Sequence, residues 1–214
     1  MTTTYEPART RGRGRWAAVA VAVVVVGGLL ALLWAAMTAH DIASRTGTWI
    51  VEVPVQVTPL LPQDAWDWGT TGSGVPLWST DHGIVALVEQ ADRATAAFAG
   101  AAPWVARIVL GLAALLLVPV VRALVSGARL TVGHAWRVVG VGVVVAIGWV
   151  AAAGLPALAA ARMIADPVHG LRSEWFEPRW SLPWWPLLIA VLLVVLGLSV
   201  RRGASLGAEA EGLV

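Results

Sequence analysis

The sequence predicts an all-α membrane protein: a four-transmembrane-helix bundle with a small extracytoplasmic strand-plus-helix insertion. Two observations predict it. First, 58% of the 214 residues are hydrophobic and 13% charged, against roughly 45–50% apolar and about 25% charged in an average soluble domain. Second, the apolar residues gather into four stretches of the length a bilayer requires, about 20 residues for roughly 30 Å of hydrocarbon, with arginines at their edges. Within such a stretch the backbone satisfies its own N–H and C=O groups only as a helix.

The first predicted span is 16–39, behind a basic arm 1–15 that carries Arg9, Arg11, Arg13 and Arg15. Its apolar core exceeds the 7–15 residues of a signal-peptide h-region, so it is expected to be an uncleaved anchor. The others are 104–125, 138–161 and 182–200, bounded by Arg122, Arg137, Arg162 and Arg201. Between them lie an outer loop 40–103, an inner loop 126–137 and a second outer loop 162–181, and the tail is 201–214. Arginine near span ends sets orientation, because its translocation is disfavoured. Nine arginines (9, 11, 13, 15, 122, 129, 137, 201 and 202) fall on one side; Arg45, Arg93, Arg162, Arg172 and Arg179 fall on the other among ten acids. Both termini are therefore expected in the cytoplasm, in a cell membrane crossed four times. Trp16, Trp34, Trp104, Trp136, Trp184 and Trp185 sit near span ends, where an amphipathic ring prefers the headgroup region.

Helices in lipid meet through small residues. Gly27 and Gly28, Gly142 and Ala146, and Gly148 and Ala152 are the expected contact points, and Pro119 and Pro156 are positioned to kink their helices.

The first outer loop is too long for a plain connection. In 48–57 Trp49, Val51, Val53, Val55 and Val57 alternate with Ile50, Glu52, Pro54 and Gln56, the period of a strand with one apolar face, and Pro54 points to an edge strand. From Ile84 onward Leu87, Val88, Ala91, Ala94 and Phe98 recur at helical spacing, predicting an amphipathic helix over 82–99 capped by Asp81. The second outer loop gathers Trp175, Phe176 and Trp180. With Trp49, and with Trp66, Trp68 and Trp78, these are candidates for an outer aromatic pocket holding a lipid or small molecule, although an interfacial aromatic belt needs no ligand.

Little in the sequence points to chemistry. There is no cysteine, hence no thiolate nucleophile or thiolate metal site. Arg107 is an intramembrane charge about a turn inside the second span, where a guanidinium reaches the outer headgroups or pairs with Asp92 or an acid of the second outer loop. No Asp, Glu or His lies deep in any span, so the ion pathway of a pump is missing. His40, His82 and His169 lack ligand spacing, and "GTTGSG" at 69–74 follows no strand opening into a helix. No enzymatic activity, cofactor, metal or direct nucleic-acid contact is expected. The lipid bilayer is the one partner the residues themselves specify, and the absence of lysine with heavy use of Ala, Val, Gly and Arg suits a GC-rich bacterial genome.

The stretch "RALVSGARLTVGHAWRVVGVG" from Arg122 to Gly142 and the tail "RRGASLGAEAEGLV" from Arg201 to Val214 resemble the inner connection and closing segment of a bacterial four-helix membrane family, domain of unknown function 2975. The chain departs from that family in having Leu130 and His134 where an aromatic and an asparagine are usual, and in its longer outer loop. The resemblance implies a small membrane protein often encoded beside a helix-turn-helix regulator. By that analogy Arg122, Arg129, Arg137, Arg201 and Arg202, with Glu209 and Glu211, would form an inner docking surface. The sequence thus favours a non-enzymatic interaction or regulatory component, with lipid or small-molecule binding at the outer aromatic residues as the alternative.

Overall fold

The structure, a computed structural model, describes residues 10–44, 49–59, 75–80, 83–166, 171, 174–180 and 183–211. Its elements run α1 (Thr10–Ser44), β1 (Trp49–Val57), β2 (Leu77–Thr80), β3 (Gly83–Ala91), α2 (Arg93–Ala99), α3 (Ala101–Ser126), α4 (Val132–Ala165), β4 (Phe176–Pro178) and α5 (Trp185–Glu211). Four of the helices, α1, α3, α4 and α5, are long and apolar enough to cross a membrane. Only between 11% and 28% of the residues in their apolar windows are buried within the chain. Large side chains such as Leu30, Leu110, Ile147 and Leu192 stand exposed along them. A patch this extensive needs lipid or another apolar cover, which marks a multi-pass membrane protein.

The chain divides into two compact units, one of residues 1–33, 108–146 and 184–214, the other of residues 34–107 and 147–183. In the first unit the helices meet where side chains vanish. A Cβ on Gly28 would lie 2.9 Å from the Ala114 methyl and 3.3 Å from the Gly111 carbonyl oxygen, joining α1 to α3. One on Gly142 would lie 2.7 Å from the Ala190 carbonyl oxygen, and one on Gly197 would lie 2.9 Å from backbone atoms of Ala135 and Val139, joining α4 to α5. The paired positions rise along one helix as they fall along the other, so both pairs are antiparallel. Gly27, beside Gly28, faces open space.

The turn between α3 and α4 is built by caps. Gly127 takes φ +70°, its N–H reaches the Leu124 carbonyl at 3.3 Å, and the Ala128 N–H reaches the Ala123 carbonyl at 2.9 Å. This pattern closes a helix on a left-handed residue that glycine adopts without strain. At the start of α4 the Thr131 N–H donates to His134 Nδ1 at 3.0 Å. A side chain three residues in thus reaches back to the residue before the helix, as glutamate does in a capping box.

In the second unit an antiparallel four-stranded sheet has the order β2-β3-β1-β4. The alternation read in 49–57 holds: Val51, Val53 and Val55 are buried while Ile50, Glu52 and Gln56 are exposed. Their face forms one core with Ala86 and Val88 of β3, Ala96 of α2, Ala159, Ala160, Met163 and Ile164 of α4, and Phe176 of β4.

Three expectations are corrected here. The chain is mostly helical with four helices able to span a membrane, as expected, but it is not all-α: in place of the strand-plus-helix insertion there is a four-stranded sheet whose last strand comes from the segment 162–181. The helix expected over 82–99 is instead strand β3 followed by the seven-residue α2. Asp81 lies outside the described residues, and the residue that caps α2 is Asp92. The misreading has a physical source. Opposite Ile50 the register slips, so that Trp49 pairs with Ala91 while Val51 pairs with Val88, and Gln90 takes φ 64°. This bulge inserts an extra residue, so the inward positions run Ala86, Val88, Ala91, and a step of three imitates a helix. Finally, β1 is an interior strand, not an edge. Pro54 is tolerated because its missing N–H faces β4, which ends at Pro178; the Pro54 carbonyl still accepts the Arg179 N–H at 3.1 Å.

Candidate functional site

The five arginines expected at the inner docking surface all belong to the first unit, and the local folding explains where each stands. Arg122 lies four residues before the end of α3, Arg129 in the capped turn, and Arg137 near the start of α4. Arg201 and Arg202 lie on the C-terminal half of α5, close to the end of its apolar span at Leu206. The antiparallel pairing of α4 with α5 brings them level: the Arg201 guanidinium carbon lies 5.1 Å from the centre of the Trp136 ring, a distance at which cation and ring attract. All five are exposed. Glu209 and Glu211 are carried by α5, but their side chains lie outside the described residues.

The outer aromatic residues belong to the second unit, and most of them fill its core. Phe176 is 1% exposed, with Trp49 and Trp175 partly buried against the same cluster. Trp180 is 55% exposed, and its ring lies 3.3 Å from where a Cβ on Gly154 would stand. Trp49, Trp175 and Phe176 thus pack into the core of the sheet, while Trp180 lies against α4 at Gly154. Trp66 and Trp68 lie outside the described residues, and Trp78 on β2 is exposed. A shallow groove of about 500 Å³ does open at the end of β1, lined by Val55, Gln56, Val57, Thr58, Pro59, Ile84 and Arg179.

Arg107 has partners the sequence did not indicate. Its Nη1 donates to Thr38 Oγ1 at 3.0 Å, and its guanidinium carbon stacks 4.5 Å from the centre of the Trp34 ring. Thr38 in turn donates to the Trp34 carbonyl at 2.9 Å, so one turn of α1 makes a seat for a charge from α3. Spacing within one helix would have shown Trp34 and Thr38 on a common face, but nothing in the sequence couples that face to α3.

Asp92, expected as a partner for Arg107, is used elsewhere. Its carboxylate accepts the Thr95 N–H at 3.0 Å as the cap of α2. Hydrogen bonds from the Thr95 side chain and backbone hold its pKa below the ordinary carboxylate value, with the charge of Arg162 adding to the effect. Arg162 itself lies over Phe98, 5.1 Å from the ring centre. Among the described residues no three His, Asp or Glu side chains gather as metal ligands. His40 is exposed, and His82 and His169 lie outside the described residues.

Comparison with family models, curated proteins and solved structures yields no match to this chain.

Proposed function

We propose that this protein is a non-enzymatic interaction or regulatory component of a bacterial cell membrane, with both termini in the cytoplasm, working through an acidic cytoplasmic partner. The observation that carries the reading is that Arg122, Arg129 and Arg137, at the exposed α3–α4 connection, are joined by Arg201 of α5, which lies over Trp136 near the start of α4 beside the exposed Arg202. Arginine is also what orientation alone requires on the cytoplasmic side. A capped turn that holds Arg129 beside the start of α4, and a stacked Arg201, present several of these charges in fixed positions rather than on a loose tail. Charge of one sign on a surface draws a partner of the opposite sign and sets its register.

The resemblance to domain of unknown function 2975 names a candidate partner by analogy, a helix-turn-helix regulator encoded nearby. The alternative, a lipid- or small-molecule-binding protein, draws its support from the groove beside Arg179 rather than from the aromatic residues, three of which pack the core.

The test is capture of the co-expressed neighbouring regulator by the full-length membrane protein. Arg129→Gln, Arg137→Gln, Arg201→Gln and Arg202→Gln combined are expected to weaken capture by about tenfold or more, the loss of one or two charge-assisted contacts. A reporter fused after Val214 must stay cytoplasmic in that variant. Undiminished capture would contradict the docking surface.

A further inference from the structure

We propose that Arg107, Trp34 and Thr38 form a site for the phosphate group of an anionic phospholipid at one face of the bilayer. All three lie in the second unit, so the site is assembled within one compact body.

The depth of Arg107 comes first. It is the seventh residue of α3, about 9 Å from the helix start at 1.5 Å per residue. The 26 residues of α3 extend about 39 Å, some 9 Å more than the hydrocarbon layer. With that excess shared between the two ends, the Arg107 backbone sits a few ångströms inside the apolar layer. Side chains of a helix lean toward its N-terminus, and for α3 that is the near end, so the guanidinium points back to the headgroups. Thr38 is four residues short of the end of the apolar run of α1 at Ile42, a matching depth.

The bonding of Arg107 comes second. A guanidinium has five N–H donors in a planar fork. Here one reaches Thr38 and one face rests on Trp34, and among the described residues these are the partners of Arg107. A cation at that depth without a counter-ion is costly. The acceptor available at headgroup level is a lipid phosphate, whose paired oxygens match the fork. Trp34 is 61% exposed, so the seat opens to the lipid side of the helices. An anionic headgroup balances the single positive charge, whereas a zwitterionic one brings its own cation to compete.

The test is native mass spectrometry of the full-length protein in neutral detergent, titrated with dioleoyl phosphatidylglycerol and, separately, dioleoyl phosphatidylcholine. The wild type is expected to retain phosphatidylglycerol about tenfold more tightly than Arg107→Gln. Arg93→Gln removes the same charge from the surface of α2 and should bind as the wild type does. Arg107→Lys keeps the charge for folding but loses the fork and the stack, and is expected to lose most of the preference over phosphatidylcholine at an unchanged melting temperature. Equal binding by Arg107→Gln or by Arg107→Lys would overturn the proposal. Displacement of the lipid by excess inorganic phosphate would overturn it as well, since the seat would then serve free phosphate.

Discussion

Asp92 does two things with one carboxylate: it caps α2 through the Thr95 N–H and feels the charge of Arg162. An N-cap of this kind contributes about 1 kcal/mol, so Asp92→Ala is expected to lower stability by that amount, while Asp92→Asn keeps most of it. The carboxyl's pKa is depressed in the folded chain, so the part of its contribution that depends on ionisation is complete above the ordinary carboxylate value and is lost as pH falls through the folded value. The melting-temperature difference between wild type and Asp92→Ala should therefore be larger at neutral pH and shrink in acid to the part a neutral oxygen still supplies. A constant difference would mean that ionisation is irrelevant to the cap. The sequence allowed this residue only as a partner for Arg107, because a D-x-x-T spacing reads as a cap only once the helix is known to start there. The real seat of Arg107 was hidden for another reason: contacts between α1 and α3 join residues about 70 positions apart, and no local pattern reports them.

At the scale of elements, what lipid selects was legible and what the sheet required was not. Four apolar runs with arginine edges identify spanning helices because length and hydrophobicity suffice. Among the small residues, Gly28 and Gly142 were visible as contact points, but Gly111 and Gly197 were not singled out, and Gly27 faces open space. Sequence spacing tells which residues are small, not which way a helix is turned. The expected energetic contrast is clear. Gly142→Ala puts a methyl 2.7 Å from a backbone oxygen and should cost about 1–3 kcal/mol as α4 and α5 shift apart. Gly27→Ala meets nothing and should leave stability unchanged or slightly raised. Equal melting temperatures for the two variants in detergent would refute the close packing. Strand β3 illustrates the opposite case: the bulge at Gln90 converts a period of two into an apparent helical step, so the element's type was misread; Val88 and Ala91 do face the core, but Leu87 pairs with the exposed Glu52 on the other face and the buried Ala86 was not singled out.

For the whole molecule, the two units follow different rules of cohesion. The first is held by glycine contacts between helices whose remaining surface faces lipid. The second is a conventional core in which Val53, Val55, Met163 and Phe176 exclude water. The sheet of that unit draws strands from both sides of α3 and α4 in sequence, which no reading of one loop at a time reveals. The claim most open to direct test is the proposed topology, in which both termini and the arginine-bearing turn are cytoplasmic. Because the chain contains no cysteine, single substitutions report directly without a background to remove. Gln56→Cys on β1 and Ala128→Cys in the turn, both at exposed positions, should be treated in intact cells with a membrane-impermeant maleimide. Labelling of Gln56→Cys at once, and of Ala128→Cys only after the membrane is permeabilised, is the expected result. The reverse order, or equal labelling of both in intact cells, would contradict the account.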